Sequence, residues 1–337
     1  MKEALFWKTE SKGVRCNACR RHCLISDGKT GFCKVRKNID GKLVSLSYGK
    51  NLTSEIDPIE KKPLFHFFPG SKVLGVSTFG CNFACQHCQN YHISKEFDES
   101  MINSIPFTSP EKVIELALKN KVQGIAYTYT EPTIFIEYAL DIMKLAKENN
   151  LFNVFVSNGY MTKEVLKESK KYLDAINVDL KGSSDFYKNI CGNVDIQGVK
   201  ESIEWIYKNK IHLELTYLIV PSFNDKKEFF EEAAEFVLSM SDEIPLHFSA
   251  FFPTYKLNFL PRTSPLTVHE AKKTAEKKGI KYVYAGNLRD EENSYCPNCK
   301  NLLVFRLYFD SEIKGIKKGK CIKCGKKADF VLDSKKS

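Results

Sequence analysis

No apolar run in the 337 residues approaches the roughly 18 needed to cross a bilayer. The opening stretch MKEALFWKTESKG has no apolar core of signal-peptide length. A membrane role is therefore not expected, and a cytoplasmic location is. There is no long internal repeat, and no low-complexity tract beyond a short Lys-rich tail. Apolar residues at 43% and charged residues at 27% are ordinary values, which rules out a disordered or fibrous chain. The length suits one large domain with appendages, or two domains. Two features stand out against this background: twelve cysteines and a formal charge of +10.

The cysteines fall into four groups along the chain. Cys16, Cys19, Cys23 and Cys33 come first, then Cys81, Cys85 and Cys88, then Cys191 alone, then Cys296, Cys299, Cys321 and Cys324. In a reducing compartment, tight pairs of this kind suit a metal better than a disulfide. The charge is uneven as well. Residues 1–72 hold 15 Lys and Arg against 7 Asp and Glu, and residues 295–337 hold 11 against 4, whereas the stretch between them is acidic. The basic excess thus lies in the cysteine-rich ends.

Between these ends, apolar strand-like runs at 73–78, 124–128, 152–157, 175–179, 212–220, 246–250 and 282–284 alternate with amphipathic stretches. Ser109-Pro110-Glu111 supplies a capping residue before a proline at a helix start. Repeated strand–helix units argue for an α/β fold around a parallel sheet, either a partial or complete (β/α) barrel or a doubly wound sheet. In both, chemistry belongs in the loops after strand C-termini. The domains read as a Cys-rich metal-binding extension at 1–72, a catalytic barrel at 73–290 and a C-terminal zinc ribbon at 291–337.

The central motif is the C-x3-C-x2-C of Cys81, Cys85 and Cys88, directly after the first candidate strand. Three thiolates reach three corners of a cubic iron–sulfur cluster and leave one iron open, which suits catalysis. A zinc site completed by His87 or His92 is the alternative. The motif, its place after the first strand and the following segments resemble the radical S-adenosylmethionine (SAM) superfamily. That resemblance implies a [4Fe–4S] cluster whose open iron is chelated by SAM, reductive cleavage of SAM, and hydrogen abstraction from a substrate. It also implies SAM contacts here. His87 stands where an aromatic residue usually packs against adenine. Thr130 and Glu131, in Tyr127-Thr128-Tyr129-Thr130-Glu131-Pro132, match the segment that binds the SAM amino group, with Thr130 in place of glycine. Asn158 and the pair Asp179 and Lys181, after the third and fourth strands, match ribose- and carboxylate-contacting segments of the pyruvate formate-lyase activating enzymes.

Along nearly its whole length the chain further resembles the AmmeMemoRadiSam-system radical SAM enzymes. The supporting residues include the N-terminal cysteines with Gly31-Phe32-Cys33, the run Leu246-His247-Phe248-Ser249 and the closing Cys296-Pro297-x-Cys299. Ala250 departs from the pattern, where a basic residue is expected. The family implies an electron donor of flavodoxin or ferredoxin type, and Memo-type and AMMECR-type partner proteins. Activation of a glycyl-radical protein, or modification of an anionic macromolecule such as RNA held by the basic ends, are the substrate classes considered. A metal-rich nucleic-acid-binding or electron-transfer protein is the non-enzyme alternative.

The C-terminal C-x2-C…C-x2-C reads as a zinc ribbon, with a rubredoxin-type iron site sharing the spacing. For Cys16, Cys19, Cys23 and Cys33, zinc and an auxiliary iron–sulfur cluster both fit. Cys191 has no partner in sequence; its ordinary role is packing, with a radical or hydrogen-donor role the sharper option. His212 and His247 read as core or rim histidines, with a substrate role for His247 the sharper option.

Overall fold

The computed structural model describes residues 1–288 and 290–332, so most of the Lys-rich tail lies outside the described residues. Its centre is an eight-stranded sheet: β1 (Ile56–Pro58), β2 (Lys72–Val76), β3 (Gly124–Tyr127), β4 (Phe152–Ser157), β5 (Ala175–Asp179), β6 (His212–Ile219), β7 (Leu246–Ala250) and β8 (Val283–Gly286). The strands follow one another across the sheet in chain order. Strands β2 to β8 are parallel, and only β1 runs antiparallel, pairing Pro58 with Lys72. The two edges are not joined, so the barrel is partial.

The strands read as nearly continuous apolar runs because both faces are covered: β3 is buried at every position, and β4 at all but one. Helices α1 (Pro110–Lys119), α2 (Ile136–Glu148), α3 (Lys163–Ser169), α4 (Ser184–Asn189), α5 (Ile196–Lys208), α6 (Lys227–Leu238) and α7 (Pro265–Lys278) form the outer layer. Their starts are chemically marked. Ser109 accepts a hydrogen bond from the Lys112 amide with Pro110 in the first turn, and Ser264 does the same for Leu266 before Pro265. Among the described residues no helix is long and apolar enough to cross a membrane.

The two cysteine-rich ends cap opposite ends of this barrel. The N-terminal extension, two small antiparallel sheets, sits over the C-terminal ends of the strands. Arg20 donates to the Met161 carbonyl at 3.1 Å, Cys19 bridges to Met161, and Arg21 donates to the carbonyls of Asn82 and Gly192. Arg36 and Glu137 form a fully buried pair at 2.6 Å between the extension and α2.

The C-terminal ribbon instead closes the N-terminal ends. Val331 pairs with Phe67, and Ser311 donates to Glu60. Beneath it, Arg306 donates to Ser294 and to the Phe65 carbonyl while its guanidinium lies 4.5 Å from the Phe65 ring. His66 completes this buried network, with Nε2 2.6 Å from the Tyr284 hydroxyl and Nδ1 2.7 Å from the Asp329 carbonyl. The carbonyl can only accept, so Nδ1 carries the proton and Nε2 accepts from Tyr284.

Burial pushes the His66 pKa down to about 3. The unfolded chain therefore takes up this proton first as pH falls. The stability tied to neutral His66 is complete above about pH 6.5 and is lost towards pH 3, at up to about 1.4 kcal/mol per pH unit. Urea unfolding at a series of pH values checks this. A His66→Gln variant is expected to lose about one proton's worth of slope in that window, and a slope equal to that of the wild type contradicts the assignment.

Candidate functional site

The motif loop leaves β2 through Gly80, whose φ of +98° and whose missing Cβ, which would lie 2.7 Å from the Cys33 carbonyl oxygen, both require glycine. The loop is strapped along one side by the segment after α4. The Ala84 amide donates to the Cys191 carbonyl at 3.0 Å, the Gln86 amide to Ile190 at 2.9 Å, and the Gln86 side chain to Asn189 at 2.9 Å. On the other side, Gly80 donates to Ile93 and the Lys256 amide donates to Gln86.

Within this frame the sulfurs meet donors. Cys81 Sγ accepts from the Phe83 amide at 3.4 Å and faces the Asn158 amide group at 3.8 Å; Cys88 Sγ lies 3.3 Å from the Ser94 hydroxyl. Lys95 reaches the Cys81 carbonyl at 2.7 Å. As free thiols these groups are strongly disfavoured from ionising. Burial pushes Cys81 and Cys88 up, and for Cys85 the adjacent Cys191 thiol is the leading cause, ahead of burial. A metal would reverse that by stabilising the thiolates directly.

Glu131, at the end of the loop after β3, is buried, and its carboxylate gathers donors from two strand ends. Oε1 accepts from the Thr133 amide (3.1 Å), the Thr133 hydroxyl (2.5 Å) and the Ser157 hydroxyl (2.9 Å); Oε2 accepts from the Asn158 amide at 2.8 Å. Oε2 thus keeps capacity for one more donor. Burial raises the Glu131 pKa. Thr130 is differently employed, its hydroxyl donating to the Thr78 carbonyl at 2.8 Å. Asn158 links the carboxylate to the motif: its backbone amide serves Glu131, and its side-chain amide donates to Asn82 at 2.7 Å and faces Cys81.

Asp179 ends β5 and pairs with Lys181 at 2.7 Å. Burial opposes the Lys181 charge, but Asp179, with Cys85 and Cys191 nearby, raises its pKa well above the ordinary value. Asn224, after β6, holds this turn by donating to the Lys181 carbonyl at 2.8 Å. His87 is buried with neither ring nitrogen bonded, and its ring lies 5.6 Å from that of Phe186. Glu131, Asn158, Lys181 and the three motif cysteines therefore converge at one end of the barrel.

His212 and His247 do not join them. They lie near the starts of β6 and β7, bonded to the buried Glu214 at 3.0 and 2.7 Å, and Glu214 also accepts the amides of Phe65 and His66. Here they tie the barrel floor together. Residues beyond the sequence-marked set also shape the site: Lys95, Asn82 and Ser157 by their contacts, and Cys191 by lying against Cys85. The isolated position of Cys191 in the chain carries no signal of that contact.

The three cysteine sets differ in spacing. Among the described residues, Cys296, Cys299, Cys321 and Cys324 are the one group of three or more His, Cys, Asp or Glu donors whose ligand atoms all lie within 4.8 Å of one another. Sulfur separations of 3.6 Å (Cys296–Cys324) and 3.7 Å (Cys299–Cys321) approach the roughly 3.8 Å edge of a tetrahedron with 2.3 Å metal–sulfur bonds. This group can bind one metal ion. Cys81, Cys85 and Cys88 do not converge in that way, with or without His87 or His92. Three half-buried thiols held apart on one loop fit a polynuclear cluster better than a single ion.

Comparison with known proteins agrees with this geometry. The family model described as Radical SAM superfamily matches residues 76–237. An uncharacterized protein of Methanocaldococcus jannaschii is 44% identical over 98% of this chain and 100% of its own length. A second protein of that organism, provisionally named a glycyl-radical enzyme activating enzyme, is 27% identical over 48% of this chain and 60% of its own. A radical SAM methyltransferase from Sphaerobacter thermophilus superimposes with a TM-score of 0.51 at 13% identity, covering 65% of this chain and 67% of that one, a likeness of fold. By its motif loop and the matched family model, the chain carries a radical SAM superfamily domain at residues 76–237.

Proposed function

We propose that this protein is an enzyme that holds a [4Fe–4S] cluster on Cys81, Cys85 and Cys88, binds SAM against the neighbouring strand ends, and abstracts hydrogen from a substrate. The observation that carries this reading is Asn158, which joins the Glu131 carboxylate to the Cys81 sulfur through one residue. A cluster held by these cysteines would supply the electron for reductive cleavage of SAM and so the means of hydrogen abstraction.

The chain's own residues then have distinct tasks. Glu131 accepts the SAM ammonium at Oε2, and because its carboxylate is desolvated, an adjacent cation gains more than it would in water. Lys181 would hold the SAM carboxylate, Asp179 and Asn158 would hold the ribose, and His87 would offer a flat ring to the adenine. Thr130 acts through its backbone, since its hydroxyl is committed to Thr78.

Glu131→Gln keeps the shape and removes the charge. Losing one charge-assisted hydrogen bond, worth about 1.5–3 kcal/mol, is expected to weaken SAM binding by roughly 10- to 150-fold. Equilibrium dialysis on anaerobically reconstituted protein measures this, with circular dichroism as the fold control. Unchanged affinity in a folded variant contradicts the role of Glu131.

For the substrate, activation of a glycyl-radical protein is favoured by the likeness to the relative that carries that provisional name. The finer placement among AmmeMemoRadiSam-system enzymes rests on the motifs of the two cysteine-rich ends, and zinc is the ion we assign to the tetrahedral C-terminal set. A ferredoxin- or flavodoxin-type protein is the electron donor this chemistry calls for.

A further inference from the structure

We propose that Cys16, Cys19, Cys23 and Cys33 hold a second iron–sulfur cluster, set directly against the motif loop. Cys16, Cys19 and Cys33 are buried and Cys23 is partly exposed, so the site is closed except at one corner. All four line one small cavity of about 10 Å³, together with Arg21, Arg36 and Asn82. The four sulfurs surround this space without meeting. No three of them come within 4.8 Å of one another, whereas the ribbon cysteines of the same chain do.

That contrast separates the two metal chemistries four cysteines can serve. A single tetrahedral ion draws all its ligands to about 3.8 Å from one another and leaves no cavity between them. A cluster of several irons takes its thiolates at separate corners, as the spacing of these four allows. The surroundings also suit an anionic centre. The buried Arg36 guanidinium points at Cys16 Sγ at 3.9 Å, and Arg21 stacks 3.6 Å over the Phe32 ring beside Cys33.

The site touches the motif loop at three points. The Cys33 carbonyl fills the place a Gly80 side chain would take, Asn82 lines the cavity while hydrogen-bonded to Asn158, and Arg21 donates to the Asn82 carbonyl. Lys95 spans the two sites, reaching the Phe32 and Cys81 carbonyls at 3.4 and 2.7 Å. A cluster here is a one-electron store beside the motif loop. That it serves the motif cluster rests on the function proposed above; that it exists does not.

The test therefore uses a full-length chain without the motif cluster: Cys81→Ala, Cys85→Ala and Cys88→Ala together, reconstituted anaerobically with iron and sulfide. The expected result is retained iron and acid-labile sulfide in about equal amounts, with a low-temperature EPR signal on reduction. Adding Cys16→Ser and Cys19→Ser is expected to remove both. Failure of the triple variant to bind sulfide, or a second equivalent of zinc beyond the one held by the C-terminal set, overturns the proposal whatever becomes of SAM cleavage. Should the five-site variant not fold, the iron and sulfide content of the triple variant still decides.

Discussion

Cys88→Ala is expected to lower SAM cleavage to the level of a cluster-free blank while leaving the fold intact. Cys88 is the motif position with no spare thiol at hand, since its sulfur neighbours the Ser94 hydroxyl. Cys85 differs, because Cys191 is fully buried against it. A Cys85→Ala variant thus leaves a thiol close to the lost ligand, and Cys88→Ala gives the cleaner result. Removing one sulfur from a half-buried loop position costs little packing, and the hydrogen bonds that shape the loop run through its backbone. Iron content, circular dichroism and product analysis on the same sample separate cluster loss from unfolding. Cleavage at wild-type level by folded Cys88→Ala protein would remove the motif from the mechanism.

The second large effect is on stability. Glu137→Leu leaves the Arg36 guanidinium buried without its carboxylate, and breaking a buried pair from one side costs about 3–5 kcal/mol. Set against a total of roughly 5–15 kcal/mol for a folded domain, that is a large fraction. Glu137 also accepts the Leu5 amide at 2.7 Å, so the same change loosens the start of the chain. Combining it with Arg36→Met removes both charges and is expected to recover much of the loss. Urea denaturation of the single and double variants measures both values. A single variant within about 1 kcal/mol of the wild type contradicts the view that this pair anchors the extension.

The barrel was largely legible in the sequence for one physical reason. Parallel strands covered on both faces must be apolar throughout, and the helices between them must be apolar on one side. The expected 152–157, 175–179 and 246–250 coincide with β4, β5 and β7, and the capping serine before Pro110 marks α1. What escaped is short or depends on the tertiary fold. β1 has three residues, one of them buried, which is too few for a pattern. α4 is a short helix of six residues. The ribbon's place on the barrel floor depends on Arg306, an exposed residue type by default that here is wholly buried.

The site divides along the same line. The place of the motif cysteines, Glu131, Asn158, Asp179 and Lys181 at one rim was legible because each ends or follows a strand, and strand ends in this fold meet there. Both His212 and His247 also lie on strands, but near their starts, and Glu214 between them decides their role. Cys191 reaches Cys85 only because the segment after α4 folds back along the motif loop. Its neighbour Gly192, with a φ of +89° and no room for a Cβ beside Ala84, permits that approach.

The most direct measurement on the central claim is product analysis of the anaerobically reconstituted, reduced wild-type protein given SAM. Accumulation of 5′-deoxyadenosine and methionine, absent from the Cys88→Ala control, is the predicted result. An intact cluster on Cys81, Cys85 and Cys88 that binds SAM and yields no 5′-deoxyadenosine would contradict it.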